Sequence, residues 1–251
     1  DELGTSVAID RDTVILGAPE DDNSGGGNAG GAYVFNRTPR TTVWVQTQKL
    51  LPNDGAANDA FGSSVSISGN TAVVGSPDDD NAGGGNAGGA YVFVRTTGIP
   101  NPWSQQGKLI ASDGSADDEF GISVAVSADT VVVGSPEDDT PAGGDAGSAY
   151  VFLRSGTVWS QQTKLTANDG AGGDEFGTSV AISGETALVG APEDNSPSDS
   201  DAGSAYAFLR TKGVWSQQGK LVITTGESGD ELGTSVGLSG NTAVLGAPGY
   251  D

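Results

Sequence analysis

Any chemistry done by this chain would have to come from carboxylates. Its 251 residues include 33 Asp and Glu against 11 Lys and Arg, a formal charge of −22, with no His and no Cys. The commonest general base and transition-metal ligand is absent. So are thiolate nucleophiles, disulfides, zinc fingers and iron–sulfur sites. The acids fall into two recurring patterns. In the first, a Pro is followed by Asp at +2, Asp or Asn at +3, and Asn or Asp at +9. The sets are Asp21/Asp22/Asn28, Asp79/Asp80/Asn86, Asp138/Asp139/Asp145 and Asp194/Asn195/Asp201. The second pattern, Asp-Gly-x-x-x-Asp, supplies Asp54/Asp59, Asp113/Asp118 and Asp169/Asp174; a fourth copy keeps Asp230 but has Thr225 at its first position. Two or three carboxylates plus an amide oxygen in a Gly-rich loop suit Ca2+, which takes about six to eight oxygen ligands. Without a cation, such clusters repel themselves. Calcium is the expected metal; a merely solvated acidic face is the competing reading.

The elements that position these loops are tandem repeats. An aromatic-Gly or Leu-Gly step falls at Gly4, Gly62, Gly121, Gly177 and Gly233, with spacings of 58, 59, 56 and 56. A Gly-x-Pro step at Gly17, Gly75, Gly134, Gly190 and Gly246 keeps the same spacings. Tyr33, Tyr91, Tyr150 and Tyr206 recur, as do Trp44, Trp103, Trp159 and Trp215. The repeats are 1–58, 59–117, 118–173 and 174–229, with a half repeat at 230–251. Each reads as four short strands, a to d, rich in Val, Ile, Tyr, Phe, Thr and Trp. Examples are Ser179–Ser183 for a, Thr186–Val189 for b, Ala149–Leu153 for c and Trp159–Leu165 for d. No helical periodicity competes. The fold class expected is all-β, a β-propeller of four-stranded antiparallel blades. The Trp and Phe residues are read as packing between blades, and the Gly of Gly-x-Pro as a requirement of a tight bend.

In such a meander the b–c loops and d–a links share one face, and this parity sorts the charge. Four acids, Asp10, Asp12, Asp129 and Glu185, lie in a–b turns; Asp251 ends the chain; the other 28 belong to b–c loops and d–a links. The c–d turns carry Arg37, Arg40, Arg95, Arg154, Arg210 and Lys212 and no acid. From Tyr to Trp, across the c–d turn, the spacings are 11, 12, 9 and 9, so every length change falls there and the acidic loops keep a fixed length. One face is expected to be strongly acidic and the other mildly basic.

Phe176-Gly177 with Gly190-Ala191-Pro192, and Leu232-Gly233 with Gly246-Ala247-Pro248, form the pattern that names the FG-GAP repeat; Gly75-Ser76-Pro77 and Gly134-Ser135-Pro136 are near variants. The chain resembles FG-GAP propellers along its whole length. It is similar to the propeller of integrin α subunits and, more closely, to FG-GAP repeats of bacterial surface and secreted proteins. The resemblance implies a propeller, an extracellular setting and an adhesive or interaction role. The integrin-type repeat places a calcium motif, Asp-x-Asp-x-Asp-Gly, between strands a and b. Here that position is a bare turn, as at Gly69-Asn70, Gly184-Glu185 and Gly240-Asn241. Any metal would have to use the loops of the opposite face.

The leading functional expectation is a non-catalytic extracellular module for adhesion, or a structural unit of a surface layer or filament, binding a protein or glycan ligand. The alternative is a calcium-dependent, lectin-like carbohydrate-binding propeller with several weak, equivalent sites. A glycosidase using paired carboxylates is disfavoured, because catalytic acid and base need different environments and these pairs repeat. The negative charge argues against nucleic acid, and no stretch approaches the ~18–20 apolar residues of a membrane span. Four and a half repeats do not fill a ring of whole blades. The chain is read as a piece of a longer propeller; otherwise a neighbouring subunit completes the open blade by self-association.

Overall fold

The computed structural model describes residues 1–251 except 39, 97, 99–101, 196–199 and 251. Asp199 and Asp251, counted among the acids above, lie outside the described residues. Blade 1 comprises β1 (Val7–Asp10), β2 (Thr13–Ala18), β3 (Gly31–Arg37) and β4 (Trp44–Leu50). Blade 2 comprises β5 (Val65–Ser68), β6 (Thr71–Ser76), β7 (Gly89–Arg95) and β8 (Trp103–Leu109). Blade 3 has β9 (Ser123–Ser127), β10 (Thr130–Ser135), β11 (Ser148–Ser155) and β12 (Val158–Leu165). Blade 4 has β13 (Ser179–Ser183), β14 (Thr186–Ala191), β15 (Ser204–Thr211) and β16 (Val214–Leu221). A half blade follows, β17 (Ser235–Ser239) and β18 (Thr242–Gly246). Each full blade is an antiparallel meander in sequence order. The first strands, β1, β5, β9, β13 and β17, lie side by side, as the inner strands of a propeller do. The ring is not closed among the described residues.

The core lies between blades. Phe61, on the link into blade 2, is fully buried and packs edge-on against Tyr91 and Phe93, with ring centroids 5.5 and 6.0 Å away. Phe120 and Phe176 repeat this geometry in the next two blades. Around Phe61 sit Ile15 and Val34 from blade 1 and Ala72 and Val74 from blade 2. The aromatic plug is thus a wedge between sheets.

The outer strands add a second tie. Each c–d pair slips register once, between Val34/Phe35, Val92/Phe93, Val151/Phe152 and Ala207/Phe208. The slip leaves Gln106 and Gln162 opposite no partner, as a bulge does. Each accepts the indole N–H of the next blade's Trp: Trp159 Nε1 to Gln106 Oε1 and Trp215 Nε1 to Gln162 Oε1, both 2.9 Å. Blade 1 uses Gln48, which bonds the backbone of Trp103 in both directions.

The Gly of Gly-x-Pro does not serve a bend. Gly134 lies inside β10 and has no left-handed φ. A Cβ on Gly134 would sit 1.9 Å from the carbonyl oxygen of Gly177, and Gly17, Gly75 and Gly190 face their neighbours in the same way. The requirement is close approach of two backbones across the blade interface. Gly134→Ala should therefore cost about 3 kcal/mol or more, while Gly219→Ala, where an added methyl meets no atom within 4 Å, should stay within about 0.5 kcal/mol. Urea unfolding of the two variants checks this.

Candidate functional site: the acidic loop face

The two acid patterns converge, but on a side chain of the protein. Strand d of each blade ends in Lys-Leu, and its lysine reaches into the loops. Lys108 Nζ lies 2.7 Å from Asp79 Oδ2 and 2.9 Å from Asp54 Oδ2. Asp79 comes from the b–c loop of the same blade, and Asp54 from the link that precedes it. Lys164 joins Asp138 and Asp113 at 2.6 and 2.9 Å, and Lys220 joins Asp194 and Asp169 at the same distances. Lys49 pairs with Asp21. Each ammonium also stands 5.1–5.4 Å over a tyrosine ring, Tyr33, Tyr91, Tyr150 or Tyr206. The tyrosine hydroxyl donates to the same +2 carboxylate, from 2.8 Å for Tyr33 and Tyr206 to 3.2 Å for Tyr150.

The electrostatics follow. Burial alone would raise Asp54, Asp113 and Asp169, yet the lysine ammonium beside each outweighs it and holds the carboxyl below its ordinary range. Burial would lower Lys108 and Lys164, and the two carboxylates on each reverse that. Asp79 is buried deeply enough that desolvation wins and its carboxyl is raised despite Lys108. Burial and the neighbouring carboxylates push the Tyr91 and Tyr150 hydroxyls upward.

The remaining expected ligands shape loops. At +3, Asp22, Asp80, Asp139 and Asn195 accept the backbone N–H of the +9 residue at 2.9, 3.0, 3.1 and 3.1 Å. That residue, Asn28, Asn86, Asp145 or Asp201, has φ of 51°, 48°, 52° or 53°. Asn and Asp tolerate this left-handed region best among side-chain-bearing residues, which explains the +9 preference. The second link acids, Asp59, Asp118 and Asp174, are buried and accept the N–H three residues upstream at 2.6, 2.7 and 2.7 Å. Asp230 does the same with Glu227 at 2.8 Å. Desolvation raises Asp59 and Asp174 and pushes Asp118 up to about 6.

Whether these residues suit calcium can be judged from their partners. The donor set is all oxygen, and Asp174 Oδ1 is buried with no hydrogen-bond partner. Against that, the +2 acids and first link acids already hold an ammonium where a cation would sit. Among the described residues, no group of three or more Asp or Glu is arranged to hold a metal ion. The carboxylates open to a cation are the exposed ones, Asp22, Asp80, Asp139 and Asp145, with Asp201 half-buried.

Sequence reading missed a further acidic set. Glu119, just before Phe120, is raised to about 7 by burial first and then by Glu137, Asp78, Glu175 and Asp117. Burial also raises Asp78, and burial with acidic neighbours raises Glu137, Glu175 and Glu193. No lysine reaches these acids in the repeat pattern. The signal was present in the sequence: acids recur just before the Phe-Gly step and just after the Pro.

The opposite face differs from its sequence portrait. Arg37, Arg154 and Arg210 are paired with Asp12, Asp129 and Glu185 of the a–b turns, so half of the six basic residues of the c–d turns are neutralised. Arg95 instead bonds the neutral Asn70. Three of these guanidiniums also bridge to the preceding blade: Arg95 to Thr13, Arg154 to Thr71 and Arg210 to Thr130, each at 3.0 Å. Arg37, Arg95, Arg154 and Arg210 stack on Trp44, Trp103, Trp159 and Trp215. The Asn36 side-chain amide donates to Thr13 Oγ1 at 2.9 Å.

Two outcomes are expected from this arrangement. Lys108→Met leaves the buried Asp79 without its counter-ion and should cost about 3 kcal/mol in chemical denaturation. The second concerns pH. Glu119 and Asp118 have folded-state pKa values above their unfolded ones, so their contribution is present in acid and is lost as pH rises through about 7 and about 6. Asp54, Asp113 and Asp169 are lowered, so theirs is lost as pH falls below the ordinary carboxylate range. The melting temperature should peak in mild acid, and Glu119→Gln should raise it at about pH 8 by roughly 2–4 °C, the worth of about 1 kcal/mol in a domain of this size. Scanning calorimetry from about pH 3 to about pH 8 reads both arms.

No helix among the described residues is long and apolar enough to cross a membrane. Comparison with curated proteins gave no match. The family model for the FG-GAP repeat matches five times, at residues 1–35, 44–93, 103–152, 159–208 and 215–251. FG-GAP repeats build β-propeller interaction modules and are typical of extracellular and surface proteins. With the plug, the close-approach glycine and the four-stranded blade recurring in register with those matches, this chain belongs to the FG-GAP repeat family.

Proposed function

We propose that the protein is a non-catalytic extracellular module for adhesion, or a structural unit of a surface layer or filament, whose working surface is the acidic loop face. The observation that carries this reading is the division of labour among the acids. In each blade the inner carboxylates are consumed by one lysine and by backbone N–H groups, which makes the loops rigid. The outer ones, from Asp78 and Glu119 to Glu137 and Glu175, are left facing one another. A rigid surface of unscreened like charge favours a cationic ligand or a divalent cation. The paired acids speak against catalysis, because Asp54/Asp79, Asp113/Asp138 and Asp169/Asp194 are each tied to one ammonium in the same way. A general acid and its base would need to differ.

Calcium belongs to this proposal at the rim, through exposed carboxylates such as Asp80, Asp139 and Asp145 and not through the lysine-filled inner positions. A calcium-dependent carbohydrate-binding propeller is the second reading. It is favoured by the presentation of the same loop in successive blades, which gives avidity to weak sites. A melting curve with calcium and then with chelator tests the metal. Calcium at about a hundredfold over its dissociation constant should add about 2.7 kcal/mol, and a chelator-insensitive melt rejects it. Chelator-sensitive retention on a glycan array selects the lectin reading; retention on a cationic protein surface without glycan binding selects the first.

A further inference from the structure

The face opposite the acidic loops holds a cavity of about 290 Å³ between the a–b turns of blades 1 and 2. Both blades have all four strands within the chain. Arg11, Arg37 and Arg95 line the cavity, and its acids are Asp10 and Asp12. Arg37 and Asp12 cancel as an ion pair. Asp10 serves the backbone: its Oδ2 accepts the Gly69 N–H at 2.6 Å, and its Oδ1 lies 3.8 Å from Arg11 Nε. Three cations against two anions leave one net positive charge, on a chain that carries −22.

That charge traces to one substitution between repeats. In blades 3 and 4 the c-strand arginine is held by Asp129 or Glu185 of its own a–b turn. Blade 2 has Asn70 at this position. Arg95 donates to Asn70 Oδ1 from Nε at 3.1 Å and from Nη2 at 2.9 Å, and from Nη1 to Thr13 Oγ1 at 3.0 Å. The Trp103 ring lies 5.4 Å beneath the guanidinium. These partners fix its plane, but all are neutral and its charge is uncompensated. A guanidinium held rigid in this way is pre-organised for an oxyanion. Arg11 is the second departure. The other full blades have Gly69, Ala128 and Gly184 at its position. The backbone there is left-handed, with φ of 54° at Arg11 and 60°, 52° and 59° at the others. A long side chain is disfavoured in that region, and such an outlier points toward function. The Arg11 side chain is 86% exposed, at the rim of the cavity.

The acidic face does not cancel this field. Central strands of six residues, such as β6, rise about 3.3 Å per residue and set the two faces about 20 Å apart. That is more than two Debye lengths at physiological ionic strength, where one is about 8 Å. We propose that the cavity binds a small oxyanion, the carboxylate or sulfate group of a ligand, between Arg95 and Arg11. Its volume falls at the low end of small-molecule sites, about 300–1,000 Å³, which suits a ligand of about monosaccharide size. The site is separate from the acidic loop face, and its test does not depend on what that face binds.

The chain has six arginines, so their Nε–H signals can be followed one by one by NMR. Titration with sodium sulfate, and separately with sodium acetate, is run against sodium chloride at matched ionic strength. The Arg11 and Arg95 signals should shift and saturate with at least one of the two anions, while the Asp129-bound Arg154 and the Glu185-bound Arg210 stay in place. Which anion saturates identifies the oxyanion class. Asn70→Asp gives blade 2 the acid that blades 3 and 4 already carry, and should weaken binding about tenfold or more. Arg11→Ala should weaken it while leaving the Arg95 signal at its starting position. No saturable shift with either anion, equal shifts at all six arginines, or unchanged affinity in Asn70→Asp would each overturn the proposal.

Discussion

One ammonium group per blade makes the acidic face possible. Twenty-eight of the 33 acids belong to the loops of this face, and without a counter-ion inside them the loops would be driven apart. The lysine at the end of strand d sits where the mutual repulsion would be greatest, between a buried carboxylate of its own blade and an exposed one of the preceding link. The tyrosine beneath it adds a ring face to the cation and a hydroxyl to the carboxylate. The quartet therefore sets the fixed length of both loops. A residue inserted in either would pull one carboxylate out of reach. The c–d turns on the other face carry no such link, and there the repeats vary in length.

The same quartet shows what could and could not be read from the chain. The period, the four strands and the sorting of charge were legible because each depends on neighbours in sequence: β-branched runs, two-residue turns, loop parity. Strands b and c run a little beyond the segments read for them, to Ala191 and Ser155, since sheet pairing continues past the apolar stretch. The acids were located correctly, but what they hold was not legible. Lys108 and Asp54 are 54 residues apart and meet only when one blade is laid on the next. A lysine repeated beside every strand end was the available signal, since a cation of constant position in an acidic face is a candidate counter-ion. The Gly-x-Pro glycine was misread for a similar reason: its constraint comes from Gly177 in the adjoining repeat, not from its own chain path.

Adjacent blades are held by four kinds of contact, and all run between nearest neighbours. The Phe plug fills the inner gap, the two glycines bring backbones together, Gln and Trp join the outer strands, and arginine spans the a–b turns. The first blade has nothing packed on its upstream side among the described residues. Leu3, at the plug position, is 53% accessible, and Val7 and Ile9 of the inner strand are 64% and 63% accessible, while Val124 and Val126 at the same places are buried.

The bulged glutamines carry a consequence for how such an array comes apart. Each Gln–Trp bond joins one unit to the next and to no other, so the free energy of the whole approximates a sum of unit and junction terms, as in a one-dimensional chain of coupled spins. Interior units keep two junctions and the outermost keep one. Opening then begins at an end and moves inward junction by junction, and it stalls at whichever junction is strongest. Under tension along the chain, force would be met by successive detachments of one blade at a time instead of by a single collapse. An array built this way gives way in steps, and the size of each step is set by the plug, the paired glycines, the Gln–Trp bond and the arginine bridge of a single junction.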